Sequence, residues 1–263
     1  MPPGGPSLTA RWVASHRARL SRTRPTVPGG DPGAEAALYA GLSRRLLLLP
    51  GMAPTGMATR TAFFDKETVR ALEAGIRQVV ILGAGYDGRA LRFGTSARWI
   101  EIDRPSTQAD KRQRISSLCG ISEHIVFAPV DLLMDDLDEA LGTAGHRRDA
   151  PTLFLAEGLF AYLPTEVSRS VCSTLRRRAA PGSILVSNYR VTPSRGKRGQ
   201  FLRGMVDALL MAIGERRQAD FHEGDPQALL ASAGWQPIRM DRSTPNRVDE
   251  GSYLLVLATQ PKD

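Results

Sequence analysis

Two glycines followed by three spaced carboxylates are the residues of this chain best suited to chemistry. Gly83 and Gly85 stand in Gly83-Ala84-Gly85-Tyr86-Asp87-Gly88, directly after the apolar run Val79-Val80-Ile81-Leu82. A residue without a Cβ can turn sharply and let a ligand lie against main-chain N–H groups. Asp103 follows Gly83 by twenty positions, just after a second apolar-rich segment, Arg98-Trp99-Ile100-Glu101-Ile102. A strand, a glycine turn, a helix, a second strand and then a carboxylate form the half-fold that holds the ribose hydroxyls of an adenosine-containing cofactor. Asp131 and Glu157 close the third and fourth segments of the same kind.

The glycine pattern fits G-x-G-x-x-G, which nicotinamide enzymes and S-adenosylmethionine enzymes share. A dinucleotide brings a pyrophosphate to the helix N-terminus. S-adenosylmethionine instead brings a sulfonium and an amino-acid head, so its site needs carboxylates and a cation for its carboxyl group. Asp131-Leu132 are placed to frame an adenine, Glu157 to face the amino-acid end, and Arg60, just upstream of the first strand, supplies the cation. Taken singly, Asp131 serves equally well as a helix cap and Glu157 as a solvated loop residue. Three acids at three successive strand ends favour S-adenosylmethionine. A nicotinamide-dependent oxidoreductase is the rival that the glycine motif alone permits.

The elements that must position these groups are read from period and punctuation. Strands are expected at Gln78–Leu82, Arg98–Ile102, Ile125–Pro129, Thr152–Ala156 and Ile184–Asn188. Helices are expected between them, at Gly88–Phe93, Thr107–Leu118, Asp135–Leu141 and Thr165–Ala180, the last capped by Thr165. Three further helices precede the first strand: Thr9 to Ser21, Ala34 to Leu49, and Thr59 to Ala74 with Gly75 as its C-cap. Strands alternating with helices mean a mostly parallel sheet covered on both faces. At the end, Gln227–Ala233 reads as a helix ended by Gly234, followed by strands at Trp235–Met240 and Ser252–Thr259 with no helix between them. That pair is a hairpin and adds an antiparallel strand. The fold expected is α/β, Rossmann-like, with a mostly parallel seven-stranded sheet, an antiparallel C-terminal hairpin strand and an N-terminal helical arm. One domain is expected over 1–263, with the arm at 1–58, the catalytic core at 59–263 and a variable insert at about 190–226.

Composition narrows the partners. No apolar run reaches the roughly 18 residues of a membrane span. The net charge is +8, with 35 Lys and Arg against 27 Asp and Glu, which can steer an anion. The arginine clusters at 176–178 and 195–203 lack the interleaved aromatics of a nucleic-acid surface, apart from Phe201. Cys119 and Cys172 have no metal or disulfide spacing and read as buried thiols of a cytoplasmic protein. Residues 1–30 hold five arginines and no acid, as a transit peptide would, but Trp12, Val13, His16 and Leu20 recur at helical spacing. The expectation is an ordered arm.

Thr59-Arg60-Thr61-Ala62-Phe63-Phe64-Asp65, Gln78 to Arg89, Glu101-Ile102-Asp103-Arg104-Pro105 and Ala156-Glu157-Gly158-Leu159-Phe160-Ala161-Tyr162-Leu163-Pro164 together resemble the leucine carboxyl methyltransferase-like family, which includes O-methyltransferases of polyketide and peptide natural products. Thr9 to Ala18 is similar to that family's N-terminal arm, which helps cover cofactor and substrate. The resemblance implies S-adenosylmethionine as cofactor. It implies Arg60 on the cofactor carboxylate, Gly83, Ala84 and Gly85 beneath the methionine part, Asp103 on both ribose hydroxyls, Asp131 and Leu132 at adenine, and Glu157 toward the amino-acid portion. Gly88 departs from the family, which usually carries Thr there. The acceptor implied is a small, anionic metabolite or peptide of secondary metabolism, methylated on a carboxylate that needs no base. A phenol or hydroxyl acceptor is the alternative on the same fold, and would need one. Tyr162, Tyr189 and Arg190, at the carboxyl edge of the sheet, are the candidates for substrate contact. His16 and His222 are the two histidines placed where a phenol could use a base.

Overall fold

The computed structural model describes residues 5–23, 38–39, 54–118, 122–191, 218–219, 221–222, 224–243 and 253–260. Cys119, most of the insert at 190–226 and, apart from Leu38 and Tyr39, the helix expected over 34–49 lie outside them.

Strand β1 (Gln78–Leu82) is buried along its whole length: Val79 to Leu82 are apolar, and the buried Gln78 donates from Nε2 to Thr152 Oγ1 at 2.7 Å. It pairs in parallel with β2 (Arg98–Asp103) on one side and β4 (Thr152–Ala156) on the other. Outside these lie β3 (Ile125–Pro129), parallel to β2, and β5 (Ile184–Arg190), parallel to β4. The terminal strands β6 (Gln236–Arg242) and β7 (Tyr253–Thr259) pair antiparallel, and the sheet order is β3-β2-β1-β4-β5-β7-β6. The last strand in sequence is therefore inserted beside β5, and β6 takes the edge.

Side chains alternate across the sheet and build two cores. Val80, Leu82, Ile100, Ile102, Phe154 and Ala156 face one side. They pack there with residues of α5 (Leu137–Thr143), α6 (Thr165–Arg178) and α7 (Asp225–Ser232). Val79, Ile81, Trp99, Leu153, Leu155 and Val186 face the other, beneath Phe63, Phe64 and Ala71 of α2 (Pro54–Glu73). The arm helix α1 (Leu8–Thr23) packs on α2. The short α3 (Arg89–Phe93) follows β1, and α4 (Pro105–Leu118) follows β2.

Several helix starts differ from expectation: α4 begins at Pro105 rather than Thr107, α5 at Leu137 rather than Asp135 and α7 at Asp225 rather than Gln227. α2 begins at Pro54, not Thr59, because the missing N–H of proline is no loss in a first turn. At α6 the cap position is Pro164 and Thr165 is already helical, without a side-chain cap bond. α5 begins after Asp136, whose side chain accepts from the N–H groups of Asp138 and Glu139.

Candidate functional site

The sheet order reverses between β1 and β4, and ligands of open α/β sheets bind at the carboxyl ends of strands at such a point. A cavity of about 360 Å³ opens there, a size that suits a small-molecule ligand.

Its floor is the turn after β1. Gly83 and Gly85 have φ of 61° and 49°, the left-handed region that glycine occupies without strain. The missing side chains also make room for protein: a Cβ on Gly83 would stand 3.0 Å from Leu159, and one on Gly85 would stand 3.0 Å from Ala10 of α1. The Gly85 N–H donates to Asp103 Oδ2 at 2.6 Å, and the Arg104 N–H donates to Oδ1 at 2.7 Å. Asp103 thus ties the glycine turn to the end of β2. Burial pushes its carboxyl above the usual aspartate value, against the lowering by these two N–H groups.

The other end of the cavity is an ion cluster. Glu157, at the end of β4, accepts from Arg60 Nε on α2 at 3.0 Å, from Arg89 Nη1 on α3 at 2.8 Å and from Arg17 Nη2 on α1 at 2.5 Å. Arg89 and Arg17 also pair with Asp87, at 2.5 and 3.5 Å, while Arg89 and Arg92 pair with Asp65, at 2.8 and 2.6 Å. Burial opposes ionisation of Glu157, but the guanidiniums of Arg17, Arg89 and Arg60 outweigh it and hold the carboxyl well below its usual range. Among the described residues, the guanidiniums of Arg17, Arg60, Arg89 and Arg92 and the carboxylates of Asp65, Asp87 and Glu157 thus form one connected cluster.

The arm is fastened along the cavity by polar contacts. The Ser7 N–H donates to Thr107 Oγ1 at 3.2 Å, Arg11 pairs with Asp110 at 3.0 Å and Arg11 Nε donates to Tyr86 Oη at 3.2 Å. Tyr86 Oη in turn donates to Asp110.

Arg60, Gly83, Ala84, Gly85, Asp103, Asp131, Leu132 and Glu157 all line this cavity, as do Tyr162 and Arg190. Asp131 Oδ1 accepts from the Leu133 N–H at 3.0 Å, so it shapes its own turn. The other three candidates are not among the lining residues. Tyr189 is fully buried, stacked on Phe160 with centroids 5.1 Å apart and edge-on to Phe221. His16 is buried with its ring 4.2 Å from that of Trp12, and His222 is exposed, its main-chain N–H on Asp225. The residue reading did not single out Arg17, Asp65, Asp87 and Arg89 of the ion cluster, nor Trp12, Asn188 and Gln218 of the lining. Arg17 carried a signal: it shares the helical face of Ala10 and Val13, where a charged residue needs a buried partner.

A family model described as leucine carboxyl methyltransferase matches residues 43–176. Two curated relatives, both provisionally named S-adenosyl-L-methionine-dependent methyltransferases, are similar over most of the chain. A protein of Frankia alni is 31% identical over 96% of this chain and 90% of its own length. One of a Parafrankia strain is 35% identical over 76% of this chain, which spans 64% of that protein, under two thirds of it. Among solved structures, a methyltransferase from Synechocystis that acts on magnesium protoporphyrin IX, crystallised with S-adenosylhomocysteine, shares the fold with a TM-score of 0.54 and 13% identity, over 95% of this chain and 100% of its own.

Proposed function

This chain belongs to the leucine carboxyl methyltransferase family; we propose that it is an S-adenosylmethionine-dependent methyltransferase and that it methylates a carboxylate of a small anionic metabolite or peptide of secondary metabolism. The cofactor supplies an electrophilic methyl group on a sulfonium. Membership of this family removes the nicotinamide oxidoreductase that the glycine motif by itself permitted.

The residues fit that cofactor from end to end. Asp103 would accept from the ribose hydroxyls with the lone pairs that Gly85 and Arg104 leave over. Asp131 and Leu132 would flank the adenine, and Arg60, which lines the cavity beside Glu157, would hold the carboxylate of the amino-acid head. The glycine turn would carry the stretch between them. The arm helix α1, which lines the cavity with Thr9, Ala10, Val13 and Arg17, would cover the site and keep out water.

The acceptor assignment rests on one observation: the flank beyond Glu157 is lined by Arg190, Tyr162, Asn188 and Gln218, while His16 and His222 lie off the cavity. A carboxylate is already ionised at neutral pH and needs alignment and desolvation rather than a base. Arg190 offers a fork-shaped donor for an anion. Transfer of labelled methyl from the cofactor, using extracts of a natural-product-forming actinomycete as acceptor source, should yield an alkali-labile ester at a rate nearly flat from about pH 6 to 8. An alkali-stable ether, formed at a rate that climbs through about pH 6.5, would make the enzyme a phenol methyltransferase.

A further inference from the structure

Resting on the carboxylate reading of the acceptor, we propose that this site selects molecules with two anionic groups and that Arg190 holds the one that is not methylated. Two cavity-lining side chains of β5 carry donors that the protein itself leaves unused. Arg190 is half-buried and makes no hydrogen bond or ion pair among the described residues. Every guanidinium of the Glu157 cluster, by contrast, is committed to at least one carboxylate. Asn188 is 3% exposed, and its Oδ1 accepts from the Gly158 N–H at 2.7 Å. That bond fixes which end of the amide faces Gly158. It leaves Nδ2 with two hydrogens and no partner among the described residues.

Strand β5 holds the two donors in fixed relation. Asn188 pairs with Leu255 and Arg190 with Tyr253 of β7, and Val191 bridges to Phe221 just beyond. Between them Tyr189 is locked in the core against Phe160 and Phe221. Residues two apart on a strand share a face and stand roughly 6.5–7 Å apart. An amide donor beside the end of β4 and a guanidinium one step farther out therefore make a two-point site for oxygen-bearing groups.

The reaction decides which group each donor takes. As the attacking oxygen bonds to the methyl carbon, the carbon–sulfur bond breaks and its electron pair stays on sulfur. The carboxylate loses its charge as the ester forms, and no proton moves. A guanidinium on that carboxylate would bind it more tightly before the transfer than during it, which raises the barrier. It would also be left without a counter-charge in the product. A second anion keeps its charge from substrate to product, so Arg190 binds it equally throughout and does not oppose the transfer. The neutral amide of Asn188 is the milder donor and suits the reacting carboxylate. The product is then a half-ester.

The test is calorimetry on the full chain at constant ionic strength, with S-adenosylhomocysteine at saturation so that neither probe fills its site. Glutarate carries two carboxylates and pentanoate one, on chains of the same length. Glutarate should bind the wild type roughly tenfold more tightly than pentanoate. Arg190→Gln should remove that advantage and leave pentanoate affinity unchanged, and monomethyl glutarate, a half-ester, should lose as much as glutarate does. Retained affinity for S-adenosylhomocysteine shows that the variant is folded. Equal wild-type affinity for glutarate and pentanoate, or no binding of glutarate, overturns the proposal without recourse to a variant. A loss of equal size for both probes in Arg190→Gln overturns it too, because Arg190 would then hold the reacting carboxylate. An alkali-labile methylation product beside equal probe affinities removes the role of Arg190 only; an alkali-stable ether removes the carboxylate reading itself.

Discussion

Asp103 already accepts from two main-chain N–H groups and has lone pairs left for a ligand's hydroxyls. Asp103→Asn keeps its size and loses its charge. The variant should bind S-adenosylhomocysteine about 1.5–3 kcal/mol more weakly by calorimetry, and near-wild-type affinity would take Asp103 out of the site. Glu157 is the larger structural commitment, because three guanidiniums converge on it in a buried setting. Its folded-state pKa is depressed, so its stabilisation is in place above the ordinary carboxyl value of about 4.3 and is lost only as pH falls through the lower folded value. The ion cluster should hold through mild acid. Glu157→Gln leaves those guanidiniums facing a neutral amide and should cost about 3–5 kcal/mol in urea unfolding. An unchanged midpoint would show that the cluster contributes nothing net.

At the scale of elements, the arm and the glycine turn fit each other with no slack. Gly85 has φ +49° and an added Cβ would stand 3.0 Å from the Cβ of Ala10. Gly85→Ala therefore carries a left-handed strain of about 1–2 kcal/mol and pushes α1 off the turn. Trypsin should cut the arm at Arg11 and Arg17 faster in this variant. Gly75 is the control: it has φ +90° with nothing within 4 Å of an added Cβ, so Gly75→Ala should show the strain without arm exposure. Equal arm cleavage in both variants would mean that the packing of α1 on Gly85 does not hold the arm.

The molecule as a whole keeps one histidine neutral beside the amino end of β4, away from the cavity. His146 Nε2 lies 3.2 Å from Thr152 Oγ1 at the start of β4, and its ring stacks on Phe154 at 5.7 Å. Burial and then the charge of Arg178 push its pKa down to about 4. Between about pH 6.5 and 4 the unfolded chain takes up a proton at this position that the folded chain refuses, so stability falls as pH falls through that window. His146→Gln should flatten the fall in urea midpoint over the same range while leaving methyl transfer at neutral pH unchanged. A fall of the same slope in the variant would assign the acid sensitivity to other groups.

The amino-acid sequence by itself determined the strands, the glycine turn and the fold class. Those depend on local causes: β-branched apolar runs bury a strand on both faces, and left-handed turns demand glycine. It also determined that Asp103, Asp131 and Glu157 lie at strand ends, because each directly follows such a run. Period alone could have separated Tyr189 from Arg190: neighbours on a strand point to opposite faces, and Asn188 and Arg190 line the cavity while Tyr189 enters the core. Only the tertiary structure decided that β7 enters the sheet beside β5, since either strand of a hairpin can take the inner place. Only it decided which charges meet. Positions 17, 60, 65, 87, 89 and 157 come from five separate elements and turns, and their pairing is fixed by how the arm and α2 pack across the sheet. Nothing in the spacing of those residues along the chain encodes that packing.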